Sequence, residues 1–333
     1  MTLRAATVPG ADRVLLDAIS AGPGAAQRRA VAKAITLLES TRADHRLRAD
    51  TLLNALLPAS GGALRLGISG VPGVGKSTFI EALGLLLIAQ GHRVAVLAVD
   101  PSSSVSGGSI LGDKTRMERL SVEERAYIRP SPAAGNLGGV AEKTRESMLV
   151  CEAAGHDVVI VETVGVGQSE TAVAGMTDMF VLLQLPNAGD DLQAIKKGVM
   201  ELADLVVINK ADLDEAAATR ARAQITSALR FFGPHAQAAA QVTQLSALKN
   251  TGLPEFWQAV QAFHAAQQAS GRLAQRRQQQ DQAWMWERVE AGLRQRFRQH
   301  PAVVQALPAL TQDVLAGRVA ASVAARRLLD LSG

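Results

Sequence analysis

The run Gly70-Val71-Pro72-Gly73-Val74-Gly75-Lys76-Ser77 has the composition and spacing of a phosphate cradle. Its glycines let consecutive backbone N–H groups turn toward one anion. The next stretch, TFIEALGLLLIA from Thr78, reads as a helix whose N-terminus adds favourable partial charge. In this reading Lys76 reaches the β- and γ-phosphates and the Ser77 hydroxyl ligates magnesium, with Thr78 beside it. A second constellation is Asn209-Lys210-Ala211-Asp212, joined later by Ser246-Ala247-Leu248. An Asp212 carboxylate can accept two hydrogen bonds, from guanine N1–H and from its exocyclic amine. Adenine has no donor at the corresponding ring nitrogen and would leave the acid unpaired. Alone, an NKAD tetrapeptide can be a helix cap, and a glycine turn before a lysine can be only a turn. Together they predict a guanine nucleotide.

Magnesium takes hard oxygen ligands and keeps several waters, so one or two carboxylates near the phosphates suffice. Asp100 ends RVAVLAVD, Glu162 ends DVVIVE, and Asp113 falls in the loop GGSILGDKTRM. An acid at such a place is equally a cap or a loop residue until a phosphate cradle stands beside it. Glu162 is favoured most, because it begins Glu162-Thr163-Val164-Gly165, where Gly165 can offer its N–H to a γ-phosphate. Loss of that phosphate would release the loop and turn nucleotide state into shape. Gln168 in VGQSE is a candidate to orient a hydrolytic water, or a plain polar loop residue. With no arginine finger legible, the catalytic set Lys76, Asp113, Glu162 and Gln168 is expected to act slowly alone and faster when a partner orders the loops.

The elements that must hold these residues alternate in type. From Leu64 onward the β-type runs LRLGIS, RVAVLAV, AYIRP, DVVIVE, MFVLLQL, LVVINK and QVTQLS are separated by helical patterns. That alternation predicts an α/β fold with a mostly parallel, doubly wound sheet, whose ligands bind beyond the carboxyl ends of the strands. Before it, Val31, Ile35, Leu38, Leu52, Leu53 and Leu56 recur at helical spacing and predict an N-terminal helical layer. After His264 the strand signal stops. Two helices are expected there, the first with a stripe of Trp286, Val289, Leu293 and Phe297, and Pro301 and Pro308 punctuate the remainder of the chain. The stripe fits either packing back onto the domain or a dimer arm. The expected organisation is a helical extension over 1–60, a phosphate-loop domain over 61–268 and a helical region over 269–333.

With 333 residues, 47% of them apolar, the chain can bury a sizeable core, which disfavours a disordered protein. Cys151 is the single cysteine, so no disulfide or thiolate metal site forms within the chain, and a reducing cytoplasm fits. The opening MTLRAATVPGADR lacks the apolar run of a signal peptide, and no segment approaches the roughly 18 apolar residues of a membrane span. The net charge of +4 traces to the stretch from Arg272 to Arg298, where seven arginines meet only Asp281, Glu287 and Glu290. A solvated or partner-facing helix explains it better than nucleic acid, and the 3% aromatic content offers no base-stacking platform.

The segments ISGVPGVGKSTFIEALG, LAVDPSSSVSGGSILGDKTRM, RPSPAAGNLGGVA, VETVGVGQSE, LPNAGDDLQAIKKGVMELAD and INKAD closely resemble the MeaB-like GTPases, the family of the methylmalonic aciduria type A protein. They cover about residues 30 to 215, with weaker similarity through SALKNTGL and the C-terminal helices. The resemblance implies a P-loop GTPase of SIMIBI type that uses GTP or GDP with Mg2+. It implies an escort for an adenosylcobalamin-dependent acyl-CoA mutase, gating cofactor loading and protecting the enzyme. Such a mutase acts on methylmalonyl-CoA or on a related isobutyryl- or 2-hydroxyisobutyryl-CoA substrate. It also implies a cytoplasmic homodimer built with the C-terminal helices, with a cobalamin adenosyltransferase as a further partner.

Family roles carry over to Ser77, Asp100, Asp113 and Glu162 for magnesium and to Asp212 for guanine. The segment from Asn187 to Lys197 matches a loop that responds to nucleotide and mutase; Asn187 stands where relatives commonly have Gly, and Asp191 where they have Glu. None of the six histidines lies in an Asp-x-His-x-x-Gly context, so the cobalamin belongs to the partner. No histidine tract or Cys/His pair points to nickel delivery. The competing readings are a kinase coupled to amino-acid transport, as the older ArgK label suggests, and a scaffold with a vestigial nucleotide site.

Overall fold

The computed structural model describes residues 10–99, 117–130, 137–163, 169–186, 197–230 and 241–332. The chain divides into two compact units, Met1–Leu273 and Ala274–Gly333.

In the first unit the strands are β1 (Leu64–Gly70), β2 (Val94–Val99), β3 (Ala126–Arg129), β4 (Val158–Thr163), β5 (Met179–Gln184), β6 (Leu205–Ile208) and β7 (Gln241–Gln244). They are the seven runs marked by the sequence. They form one sheet in the order β3-β2-β4-β1-β5-β6-β7, with every pairing parallel. The chain leaves β1 for β2 and β3 on one side, returns to β4, then crosses to β5, β6 and β7 on the other. The order reverses at β1, so a crevice forms at its carboxyl end between β4 and β5, where an open parallel sheet takes its ligand.

Both faces are covered, which is why the inner strands read as nearly continuous apolar runs, while the edge strand β7, Gln-Val-Thr-Gln, is polar and not buried. Their side chains nonetheless alternate. Val94 and Val96 join one buried cluster, Ala95, Leu97 and Val99 the other. On the first face lie α4 (Lys76–Ala89), the short α5 (Glu118–Val122) and α10 (Leu253–Ala269), contributing Phe79, Leu83, Leu120 and Phe256. Phe79 and Phe256 meet edge to face with centroids 5.0 Å apart, fastening α4 to α10. On the opposite face lie α6 (Leu137–Ala153), α7 (Ser169–Ala174), α8 (Lys197–Leu202) and α9 (Glu215–Arg230).

That face also carries the N-terminal layer, α1 (Gly10–Ser20), α2 (Ala25–Glu39) and α3 (Ala43–Leu56). Val31, Ile35, Leu38, Leu52 and Leu56 are all buried there, as their helical spacing predicts, and Leu53 is half-buried against them. Each such fully buried aliphatic side chain is worth about 1.5–3 kcal/mol of transfer free energy. At the amino end of the sheet polar groups do the fastening. Arg65 donates from Nε to Glu152 at 2.6 Å, and its backbone N–H donates to Asp178 at 2.8 Å.

The second unit contains α11 (Arg272–Gln299, which begins just before the boundary), α12 (Pro301–Leu315) and α13 (Ala321–Asp330). Among the described residues there are three helices rather than the two expected. Pro301 opens α12 at its first turn, where a missing N–H costs nothing. Pro308 does not interrupt α12 but lies inside it, on an exposed face where the carbonyl of exposed Val304 can turn to water instead. Trp286, Val289 and Leu293 are exposed in this chain and Phe297 is half-buried. Among the described residues no helix is long and apolar enough to cross a membrane.

Candidate functional site

The loop after β1 is built by close backbone approach. A Cβ on Gly70 would stand 2.7 Å from the carbonyl oxygen of Leu183 in β5, and one on Gly75 would stand 2.8 Å from the Asn209 amide nitrogen. Gly73 and Gly75 have φ of +79° and +93°, the left-handed region that glycine enters freely. Val74 is the loop's anchor, fully buried, with its N–H donating to the Val71 carbonyl at 3.2 Å. Gly75 caps α4 without a side chain, so the first N–H groups of that helix stay directed out of its end. The Lys76 ammonium lies over the loop and donates to the carbonyl of Gly70 at 2.6 Å and of Val71 at 3.4 Å. Ser77 is half-buried in the first turn, and Pro72 and Thr78 are exposed or partly so. A small glycine loop at a helix N-terminus, with a long-stemmed ammonium over it, can take a polyphosphate.

Next to it, β4 ends in Glu162 and Thr163. Glu162 is 5% exposed and paired in register with Ile68 of β1, and the Thr163 hydroxyl donates to that of Ser69 at 2.9 Å. Ser77 and Glu162 therefore offer a hydroxyl and a carboxylate, hard oxygen donors of the kind that suit magnesium. Asp100, Asp113, Gly165, Gln168 and the segment 187–196 lie outside the described residues.

The loops after β6 and β7 join the cradle through one residue. Buried Asn209 donates from its amide to the Val74 carbonyl at 2.9 Å and accepts the Ala247 N–H at 3.1 Å. It ties the phosphate loop to the loop after β7. Lys210 adds a second strut by donating to the Gly73 carbonyl at 2.8 Å, from a backbone held at φ +59°. A non-glycine residue at that φ costs on the order of 1 kcal/mol or more and persists only where its surroundings hold it.

Asp212 comes two residues later, with its carboxyl held below the usual carboxylate range. The hydrogen bond from the Ser246 hydroxyl is the main cause, helped by its own backbone N–H and by Lys249, whose ammonium is 3.7 Å away. The turn from Ser246 to Thr251 is closed by two backbone hydrogen bonds of 3.0 and 3.1 Å, and Gly252 packs at φ +79° against Leu245. An ionised carboxylate only accepts hydrogen bonds, so this corner can take a ligand edge with two adjacent donors. Leu248 turns outward, 76% exposed.

The structure thus brings the glycine loop, Asn209, Lys210, Asp212, Ser246 and Ala247 into one connected set. Sequence reasoning overlooked Lys249 and the strut geometry of Asn209 and Lys210. The turn-forming run Asn250-Thr251-Gly252 after Lys249 was the available signal that the chain doubles back there.

Three comparisons bear on this arrangement. The family model "Methylmalonyl Co-A mutase-associated GTPase MeaB" matches residues 31–302. A relative from Escherichia coli, "GTPase ArgK", is 53% identical over 79% of this chain and 80% of its own length. The "Methylmalonic aciduria type A homolog, mitochondrial" of Mus musculus is 46% identical over 94% of this chain and 79% of its own. Among solved structures, a "LAO/AO transport system kinase" matches at a TM-score of 0.74 with 38% identity, over 99% of both chains.

Proposed function

The chain belongs to the MeaB family of methylmalonyl-CoA mutase-associated GTPases, and from that premise we propose which residues do the work and which enzyme they serve. It is a P-loop GTPase that binds guanine nucleotide. The observation that carries our assignment is the Asp212 carboxyl, held below the usual carboxylate range beside Ser246, on a loop that Asn209 links to the phosphate cradle. Asp212 accepts from guanine N1–H and the exocyclic amine. The backbone of residues 70–75 and the Lys76 ammonium hold the phosphates and offset charge that develops as the terminal phosphoryl group passes to water. Magnesium, when bound by Ser77, Glu162, Asp100 and Asp113, would neutralise further phosphate charge. Gln168 orients the attacking water, and Gly165 answers to the presence of the terminal phosphate.

The role proposed for this cycle is to gate adenosylcobalamin loading of a B12-dependent acyl-CoA mutase and to protect that enzyme from inactivation. A cobalamin adenosyltransferase is the further partner this role requires as cofactor source. The exposed stripe of Trp286, Val289 and Leu293 supports a homodimer made by the C-terminal helices. Co-purification with methylmalonyl-CoA mutase in GDP and in a non-hydrolysable GTP analogue tests the role. Nucleotide-dependent binding and a mutase-stimulated GTPase rate are expected; no binding together with unchanged turnover removes the chaperone reading.

A second reading, a kinase, is motivated by the name carried by the similar solved structure. A kinase needs an acceptor beside the terminal phosphate and usually takes ATP. Tighter binding of ATP than of GTP would favour it.

A further inference from the structure

The N-terminal helices carry a feature that nucleotide chemistry does not use. With the start of α3, helices α1 and α2 line an open groove of about 760 Å3. Its floor is apolar, made by Leu15 and Ala18 of α1 and Ala30 and Leu37 of α2, with Val14 at its edge. Val14 is 70% exposed there.

The rim is cationic. Arg29 and Lys33 stand one helical turn apart on α2, and neither has an ion-pair partner among the described residues. The carboxylates that line the groove are already neutralised. Buried Asp12 receives Arg48 through two contacts of 2.7 and 3.0 Å, and Glu39 pairs with Arg129. An apolar floor under uncompensated positive charge fits an apolar surface edged with carboxylates. A small-molecule site would enclose most of its ligand, whereas this groove lies open along two helices, the setting in which a third helix lays down its apolar face.

We propose that the groove docks a helix of the partner mutase whose apolar face is flanked by acidic residues. The inference rests on the mutase reading given above. The wall that meets the partner is firmly joined to the sheet. Arg28 of α2 donates to the carbonyls of Glu123 and Ala126, and the Glu39–Arg129 pair joins α2 to β3. A partner held here is therefore held against the same sheet whose other strands carry the nucleotide loops.

The test uses the full chain with Arg29→Glu and Lys33→Glu combined, and separately Val14→Glu. None of the three side chains is buried, so thermal melts and basal GTP hydrolysis should match wild type. Surface plasmon resonance against purified methylmalonyl-CoA mutase should show wild-type binding and a loss of about tenfold or more in both variants. The deficit of the double reversal should shrink as salt rises. Equal binding by wild type and variants overturns the groove while leaving the mutase reading intact. If wild type itself does not bind, the partner reading falls and takes the groove with it. Unchanged mutase binding with an altered sedimentation coefficient would assign the groove to a second copy of this chain and likewise overturn the proposal.

Discussion

Two regions of the first unit perturb their titratable groups in opposite ways. At the amino-terminal side of the sheet Tyr127, Cys151 and His156 lie together, the tyrosine and histidine rings 6.1 Å apart. Burial pushes the Tyr127 phenol and the Cys151 thiol well above their usual ranges and pushes His156 down to about 4. All three are neutral at physiological pH, and the neutral His156 ring donates from Nδ1 to the Cys151 carbonyl at 2.9 Å. At the nucleotide end Asp212 moves in the direction that favours its charged form, chiefly through hydrogen bonding with the Ser246 side chain. The shifts caused by burial leave their groups neutral, while the shift at Asp212 favours the charged form. In this chain the causes differ: burial acts on the first group of residues and a directed donor on Asp212.

Four measurements sharpen or break that contrast. The largest effect belongs to Asp212→Asn, which replaces an acceptor-only group and should weaken GTP binding by about 1,000-fold or more while leaving ATP binding and the melting temperature unchanged. A proportionate loss for both nucleotides would mean that the corner holds the loop rather than reads the base.

Next is the acid response of the buried cluster. His156 titrates near 4 when folded and near 6.5 when unfolded, so its contribution is complete above 6.5 and is lost as pH falls toward 4. The loss is roughly 3 kcal/mol. Urea melts at pH 7 and pH 4.5 should show it, with a shallower pH dependence in His156→Gln; parallel curves for the two proteins would refute the burial account.

Ser246→Ala should weaken GTP binding at pH 7 by about tenfold. It should also raise the pH at which binding is lost on acidification, because without that donor Asp212 takes a proton more readily. A binding–pH profile shows both. The smallest effect is Lys249→Ala, about twofold and vanishing in high salt, since Lys249 is largely exposed and its ion pair is screened.

Much of this was legible before the fold. The seven strand runs, the cradle from Gly70 to Ser77 and the Asp212 tetrapeptide are local patterns, each recognisable within a few residues. The struts were not, because Asn209 reaches Val74 and Lys210 reaches Gly73 from far along the chain, and only the strand order brings them together. Pro308 misled for a related reason. Sequence rules treat an interior proline as a break, but hydration of an exposed helix face can absorb one lost hydrogen bond. The groove beside Arg29 and Lys33 needed the packing of three helices to appear at all, although the buried spacing of Val31, Ile35 and Leu38 foretold the layer that forms it.

The account stands on the choice of base. Titration calorimetry of the folded full-length chain in magnesium buffer, with GTP, GDP and ATP in parallel, tests it most directly. Saturating heats for both guanine nucleotides, and measurable but far weaker binding of ATP, are predicted. ATP binding as tight as GTP, or no heat from either guanine nucleotide, would contradict it.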